Sequence, residues 1–372
     1  MSPFVRVSGK ALKVFLKTRP IYGMVKHKAM KKSAVMLPDI QEAYETLNAA
    51  SPRPRSCKLP LNRDWCEVPE VDCSVIVPCY NVSNYVNDCI ESVLGQHTSH
   101  TFEVVAIDDG STDNTGSLLD AIAARDSRLR VIHQTNKGFS GARNTGISLA
   151  RGKVIVFVDS DDVVVPNALD VMLRAYAEDV CDYVTANYSD MSENGSVVIP
   201  HRGKRTHGAP WARAYSREIW RRLDFPVGFW FEDTVQAYCI DTRFKENYVD
   251  QRLYRYRKNG EGITAKCARS KKGLDAFWIV DEMIHWCREL DIELNQKIFE
   301  QTLCQFGPML YERTAALSEH ERIALFKACC DFLKSIPEFS DRETNMGHIW
   351  HDLLKAFRTE NYSLWSLCVR VL

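Results

Sequence analysis

Val154-Ile155-Val156-Phe157-Val158-Asp159-Ser160-Asp161-Asp162 runs five apolar residues straight into three carboxylates. A continuous run rich in Val and Ile suits a strand covered on both faces. Carboxylates at its end sit on the rim of a sheet, where they are costly unless a cation or hydrogen bonds compensate them. Mg2+ or Mn2+ does this through one or two protein carboxylates together with the phosphates of a substrate. Asp159 and Asp161 are therefore candidate metal ligands. A plainer reading stands beside it: aspartate commonly follows strands as a turn former or helix cap, and Asp162 before Val163-Val164-Val165-Pro166 suits that role.

Three further runs precede this one, Cys73 to Val77, Phe102 to Ile107 and Leu129 to Ile132. Between them lie 84–94, 113–125 and 140–150, each long enough for a crossover helix. That rhythm predicts right-handed crossovers and a mostly parallel α/β sheet. Such sheets bind ligands at the carboxyl ends of their strands. The polar clusters fall there: Pro78-Cys79-Tyr80-Asn81 after the first strand and Asp108-Asp109-Gly110-Ser111-Thr112-Asp113 after the second. Ser111, Thr112 and Asp113 suit a turn and a helix start. That does not explain two carboxylates ahead of the turn, and an acceptor at this point suits the imide N–H of uracil.

After the third strand, Asn136-Lys137-Gly138-Phe139-Ser140-Gly141-Ala142-Arg143-Asn144-Thr145-Gly146 enters a helix through glycines. Backbone N–H groups and a guanidinium can approach an anion closely there, so Lys137 and Arg143 are candidates for a donor diphosphate or sugar. The pattern is neither G-x-G-x-x-G nor a G-K-S/T loop, which argues against a dinucleotide-dependent dehydrogenase and a nucleoside triphosphatase. Glu232-Asp233, taken alone, reads as the solvated first turn of a helix over 234–240. His133 reads as a satisfied polar residue. Trp211, Trp220 and Trp230 suit an acceptor wall or core packing equally.

The 372 residues, 45% hydrophobic, can bury a full core. Lys plus Arg equals Asp plus Glu at 48 each, so no global charge draws the chain to nucleic acid. Charge is uneven locally: Met1 to Pro38 holds nine Lys and Arg and no acidic residue. Phe4, Val5, Leu12, Val14, Phe15 and Leu16 make this arm a candidate amphipathic helix for peripheral membrane contact; a disordered or packing arm is the alternative. Thirteen cysteines without a C-x-x-C spacing suggest neither a disulfide framework nor a zinc ribbon, and fit a reducing cytoplasm. Apolar runs fall far short of the roughly 20 residues of a spanning helix, and no secretory signal is read. The expected location is cytoplasmic, at the inner face of the cell membrane if the arm binds there. Beyond Lys266, the stretches 273–290, 294–311 and 319–334 read as helices, and the apolar tail 363–372 as a segment packed on them. The expected organisation is a basic arm and linker over 1–70, an α/β domain over 71–265 and a helical subdomain over 266–372.

Taken in order and spacing, Ser74 to Asn81, Asp108 to Asp113, Gly138 to Gly146 and Phe157 to Asp162 resemble glycosyltransferase family 2 with its GT-A fold, over roughly 72–264. The resemblance implies an inverting, metal-dependent transfer of a sugar from a UDP-sugar to a saccharide or lipid-linked acceptor, in surface-polysaccharide or glycoconjugate assembly. It implies that Pro78, Tyr80 and Asp109 line the uridine pocket, with Asn81, Asp108 and Ser160 in the same donor site. Asp159 and Asp161 form the D-x-D for Mg2+ or Mn2+, Asp161 as the direct ligand. Trp211 to Tyr215 resembles the W-x-K/R-x-Y segment before the acceptor site, and Glu232-Asp233 the E-D pair whose aspartate is the catalytic base. Leu253 to Arg257, with Arg255 and Arg257, ending at Gly262-Ile263-Thr264, resembles the segment that closes over bound donor. Gln251 and Arg255 echo the Q-x-x-R-W of processive synthases, but Tyr256 stands where the tryptophan belongs, which argues against that class. A sugar-nucleotide pyrophosphorylase would need a glycine-rich N-terminal loop that is missing, and the presence of both Asp161 and Asp233 speaks against an inactive binding module.

Overall fold

The structure is a computed structural model that describes residues 19–31, 35–59, 63, 65, 68–200, 208–260, 266–267 and 269–372. The predicted amphipathic stretch from Phe4 to Leu16 and the Gly262-Ile263-Thr264 end of the closing segment lie outside them. The chain divides into two compact units, Arg55–Gly262 and the pair of segments Met1–Pro54 with Ile263–Leu372.

The second of these holds α1 (Arg19–Lys31) and α2 (Ile40–Ala50). The first unit follows with β1 (Val71–Cys79), α3 (Val86–Leu94), β2 (Phe102–Asp108), α4 (Thr115–Ala123), β3 (Leu129–His133), α5 (Gly138–Leu149) and β4 (Gly152–Phe157). It continues with β5 (Val163–Val164), α6 (Ala168–Glu178), β6 (Tyr183–Met191), β7 (Val198–Pro200), β8 (Arg213–Ser216) and β9 (Glu246–Arg257).

One sheet orders these strands β3-β2-β1-β4-β8-β6-β9-β5, with β7 paired to β6. Where the sequence alternates strand and helix, the pairing is parallel: β2 and β4 both flank β1, and β3 flanks β2. The chain steps outward from β1 to β3, then returns to place β4 on the other side of β1. This reversal opens a crevice at the carboxyl ends of β1 and β4. Residues Val75, Val77, Val104, Ala106, Val154 and Val156 are all buried, as expected of strands covered on both faces. Helix α5 lies so close on β1 that a Cβ at Gly146 would stand 2.4 Å from Ile76 Cγ2.

Beyond β4 the sheet is mixed. Strand β8 pairs antiparallel with β4 and β6, whereas β6 and β9 run parallel. Their register shifts twice, between Ala186↔Val249 and Asn187↔Arg252 and again before Tyr188↔Tyr254. β6 advances two residues there while β9 advances five, so β9 carries three extra residues. An odd insertion moves the alternate side chains of a strand to the opposite face.

The other unit is helical: α7 (Asp275–Glu289), α8 (Gln296–Cys304), α9 (Leu310–Arg313), α10 (Glu319–Lys334), α11 (His348–Arg358) and α12 (Tyr362–Val371) join α1 and α2. Ser318 caps α10 with Glu321 in a reciprocal capping box. Tyr22 on α1 donates to Asp352 on α11 at 2.9 Å, and Arg53 pairs with Asp281 on α7 at 2.5 Å. The apolar tail is α12, burying Leu364, Trp365, Val369 and Val371. Residues through Pro54 therefore group with the C-terminal helices, and those from Arg55 with the sheet. All twelve described cysteines are free thiols. No helix among the described residues is long and apolar enough to cross a membrane.

Candidate active site

Three loops at the carboxyl ends of β1, β2 and β4 are stitched together by backbone and side-chain hydrogen bonds. Pro78 is the penultimate residue of β1, and Tyr80 just past the strand is half exposed. Asn81 takes a left-handed conformation with φ of 52°, a region asparagine tolerates. Its Oδ1 accepts the N–H of Thr112 at 2.8 Å, and its own N–H donates to Ser111 Oγ at 3.1 Å. The turn after β2 depends on Gly110, at φ of 74° with Asn136 N only 3.0 Å from where a Cβ would sit.

Asp108 and Asp109 diverge. Asp108 accepts from Ser111 N–H at 3.0 Å and pairs with His133 Nδ1 at 2.8 Å. Those partners hold its carboxyl below the usual range despite burial and raise the His133 imidazole. Asp108 is thus engaged within the turn, and His133, read as a satisfied polar residue, is its partner. Asp109 is buried, and its Oδ1 accepts from Gln134 Nε2 at 2.6 Å and the Lys137 N–H at 2.9 Å. Lys137 binds it through the backbone, with its side chain exposed. Gln134 carried no sequence signal.

Arg143 is the hinge of the site. Buried on α5, it donates to Asp159 Oδ1 at 2.7 Å and, through its other terminal nitrogen, to Glu232 Oε1. Its guanidinium also lies 5.3 Å from the Phe225 ring. Arg143, a candidate for the donor's diphosphate or sugar, is engaged in this structure with two carboxylates. Burial pushes the Glu232 carboxyl up to about 7; Arg143 opposes this, while Asp233 and Asp159 reinforce it. Asp233 follows, half-buried, opening the helical turn that ends in the π-type turn Gln236–Ile240. Phe231 ahead of this pair has φ of 63°, and Ala212 after Trp211 has φ of 55°. For such residues this region is strained by an order of 1–3 kcal/mol each, and strain of this kind concentrates at working sites.

The Asp159-Ser160-Asp161-Asp162 turn is closed by the Asp162 N–H donating to Asp159 O at 3.0 Å. Ser160 is buried beside Cys79. Burial, then the Asp159 charge, raise the Asp161 carboxyl; Asn259 Nδ2 donates to its Oδ2 at 3.2 Å. Asp162 is fully buried and is followed by β5 instead of a helix, so it caps nothing. It accepts from Tyr254 OH at 2.7 Å and from Arg257 N–H at 2.6 Å. Burial and the charges of Asp161 and Asp159 push it well up nonetheless. Among the described residues no cluster of three or more His, Cys, Asp or Glu side chains forms a ready metal cage. Two adjacent carboxylates that repel each other fit a divalent ion that takes its remaining ligands from substrate phosphates and water.

Trp211 is packed away, its ring stacked on Tyr254 at 4.7 Å and on Tyr256 at 5.3 Å. Trp220 is buried among Phe157, Tyr215 and Phe225. Arg257 is buried and donates through Nε to Asp161 O at 2.6 Å. Arg255, next to Tyr254 and Tyr256 in the alternation of β9, pairs in register with Val163. The structure therefore brings Asp159, Asp161, Arg143, Glu232 and Arg257 into one network, with Asp109 at the end of β2, two strands from β4.

A mostly parallel sheet with carboxylates at its switch point is the architecture expected of the GT-A fold. The Glycosyl transferase family 2 signature matches residues 74–231. Glycosyltransferase GlyG of Streptococcus pneumoniae serotype 4 is 43% identical over 219 residues, covering 51% of this chain and 72% of that protein. The uncharacterized glycosyltransferase EpsJ of Bacillus subtilis is 31% identical over 215 residues, covering 51% of this chain and 62% of EpsJ. In fold the chain is similar to S. aureus TarS 1–349 solved with UDP-GlcNAc, with a TM-score of 0.62 at 21% identity, over 80% of this chain and 90% of that one. The chain belongs to glycosyltransferase family 2.

Proposed function

We propose that this glycosyltransferase inverts configuration at the sugar it transfers, moving it from a UDP-sugar to a saccharide or lipid-linked acceptor with the aid of Mg2+ or Mn2+. The observation that carries the reading is the Asp159–Arg143–Glu232 bridge, which ties the D-x-D turn to the acid pair at 232–233 across the crevice. An inverting transfer is one in-line displacement, so it needs a base facing the acceptor and charge neutralisation at the leaving diphosphate. Asp233 is the base, taking the proton of the acceptor hydroxyl. Asp161, with Asp159, would hold the cation, which supplies electrostatic stabilisation of the leaving diphosphate. Tyr80, Pro78 and Asp109 form the uracil pocket. Glu232, held by Arg143, fixes the backbone from which Asp233 projects. UDP-GlcNAc is the ligand in the TarS structure, whose fold this chain shares; that supports a UDP-sugar donor.

The setting we propose is surface-polysaccharide or glycoconjugate assembly at the cytoplasmic face of the membrane, with the basic N-terminal arm as a peripheral contact. Co-sedimentation with anionic vesicles tests the arm: removing residues 1–18 leaves α1 and its Tyr22–Asp352 bond in place, and unchanged binding removes the idea. For the catalytic reading, a thermal-shift panel of nucleotide sugars with and without Mn2+ comes first, since ligand linkage turns affinity into stability. UDP-sugars are expected to raise the melting point in a Mn2+-dependent way. Donor binding without turnover of any donor would leave only a binding module.

A further inference from the structure

The Asp-Ser-Asp-Asp turn is held by a strand that arrives some ninety residues later in the chain. Tyr254 OH accepts the Asp159 N–H at 3.1 Å and donates to Asp162 Oδ2 at 2.7 Å, so one hydroxyl bridges the first and last residues of the turn. Arg257 closes the other side. Its N–H donates to Asp162 Oδ1 at 2.6 Å, its Nε to Asp161 O at 2.6 Å, and its Nη1 to Glu193 O at 2.6 Å. Two residues on, Asn259 engages Asp161 Oδ2. The Tyr254 ring is itself fixed by stacking on Trp211. Three of the four residues of the turn, Asp159, Asp161 and Asp162, are therefore hydrogen-bonded to β9 or its continuation, which ties the turn's orientation to the position of β9.

We propose that Tyr254 and Asp162 are positioning residues for donor binding: their hydrogen bond sets the direction in which Asp159 and Asp161 present their carboxylates to a cation and the donor diphosphate. This rests on the D-x-D reading given above and deepens it. Partners that orient metal-binding side chains from behind typically contribute 10- to 100-fold in metal affinity or activity. Tyr254→Phe removes both hydrogen bonds of that hydroxyl, which in a unit of this size lowers the melting point by roughly 4–8 °C.

The test compares Tyr254→Phe with Tyr256→Phe, which deletes a hydroxyl from the other ring stacked on Trp211 and leaves the clamp intact. Calorimetric titration of the full chain with UDP in the presence of Mn2+ is the readout, alongside the melting point of the ligand-free protein. Tyr254→Phe should weaken Mn2+–UDP binding about tenfold or more, with Tyr256→Phe close to wild type. Asp162→Asn should lower affinity similarly, and the double variant Tyr254→Phe/Asp162→Asn should be no worse than the weaker single one, because both act on one bond. Equal affinities in Tyr254→Phe, Tyr256→Phe and wild type overturn the clamp while leaving the donor reading standing. Failure of the wild-type chain to bind UDP with Mn2+ overturns both.

Discussion

The two halves of the sheet solve different problems. From β1 to β4 the loops bearing Tyr80, Asp109 and Asp159 each follow a parallel strand directly, and their place is fixed by a repeating strand–helix unit. From β6 to β9 the strands are mixed in direction, β9 carries three extra residues, and Phe231 and Ala212 sit in strained conformations. In the function proposed above, the first half would supply the cation and nucleotide end of the crevice, and the second the acid pair and the backing for the first. A regular scaffold thus carries the general part of the site, and irregular backbone carries the part that must reach across it.

The largest effect that would sharpen this comparison is expected at Asp233. Asp233→Asn should lower turnover by roughly 10²- to 10⁴-fold, the usual contribution of a general base, with UDP-sugar binding nearly unchanged by thermal shift. Near-normal turnover would return Glu232-Asp233 to the plain helix start read from its composition. Asp161→Ala should behave differently, weakening Mn2+-dependent nucleotide binding and turnover together.

Arg143 joins the halves, so its loss should damage both. Arg143→Met leaves the buried Glu232 and the neighbouring Asp159 without their cation, a change that typically costs about 3–5 kcal/mol. Urea unfolding measures it, and adding Glu232→Gln to the same chain should recover part of the loss. A fully additive double variant would mean the bridge does not couple the two segments.

A smaller, signed effect concerns pH. The folded chain holds the Glu232 carboxyl near pH 7, above its ordinary value of 4.5, chiefly through burial. The folded state therefore binds the proton more tightly than the unfolded state. This contribution to stability is fully present below about pH 4.5 and is lost as pH rises through about 7. Asp161 and Asp162 are displaced in the same direction, so the diagnostic is a difference: Glu232→Gln should show a shallower fall in melting point over that window than wild type. Parallel curves would mean that Glu232 does not carry the slope. The smallest effect lies in the helical unit, where Ser318→Ala removes a capping box and should cost about 1 kcal/mol of stability without altering nucleotide binding.

Much of the first half was legible because strand ends are marked by an abrupt change from Val and Ile to Asp, Asn and Gly. Four strands, three crossover helices and the loops bearing Tyr80, Asp109 and Asp159 follow from that change alone. Asp108 and Asp109 looked equivalent, yet one is tied into its own turn by Ser111 and His133, while the other reaches Gln134 and the entry of α5. Which of two adjacent side chains faces a crevice depends on the loop opposite. Arg143 was legible as a cation near anions, but the anions proved to be the protein's own.

The parallel core and the carboxylates at its rim are readable from the chain alone, because both follow from period and from position relative to a strand end. How those carboxylates are held emerges only from folding. Tyr254 reaches Asp162, and Asn259 reaches Asp161, because β9 slips by an odd number of residues against β6 and threads beside β5, and neither register nor partner choice is written in the local pattern of either strand. Those are long-range contacts, and their energy depends on groups some ninety residues apart arriving at one buried point.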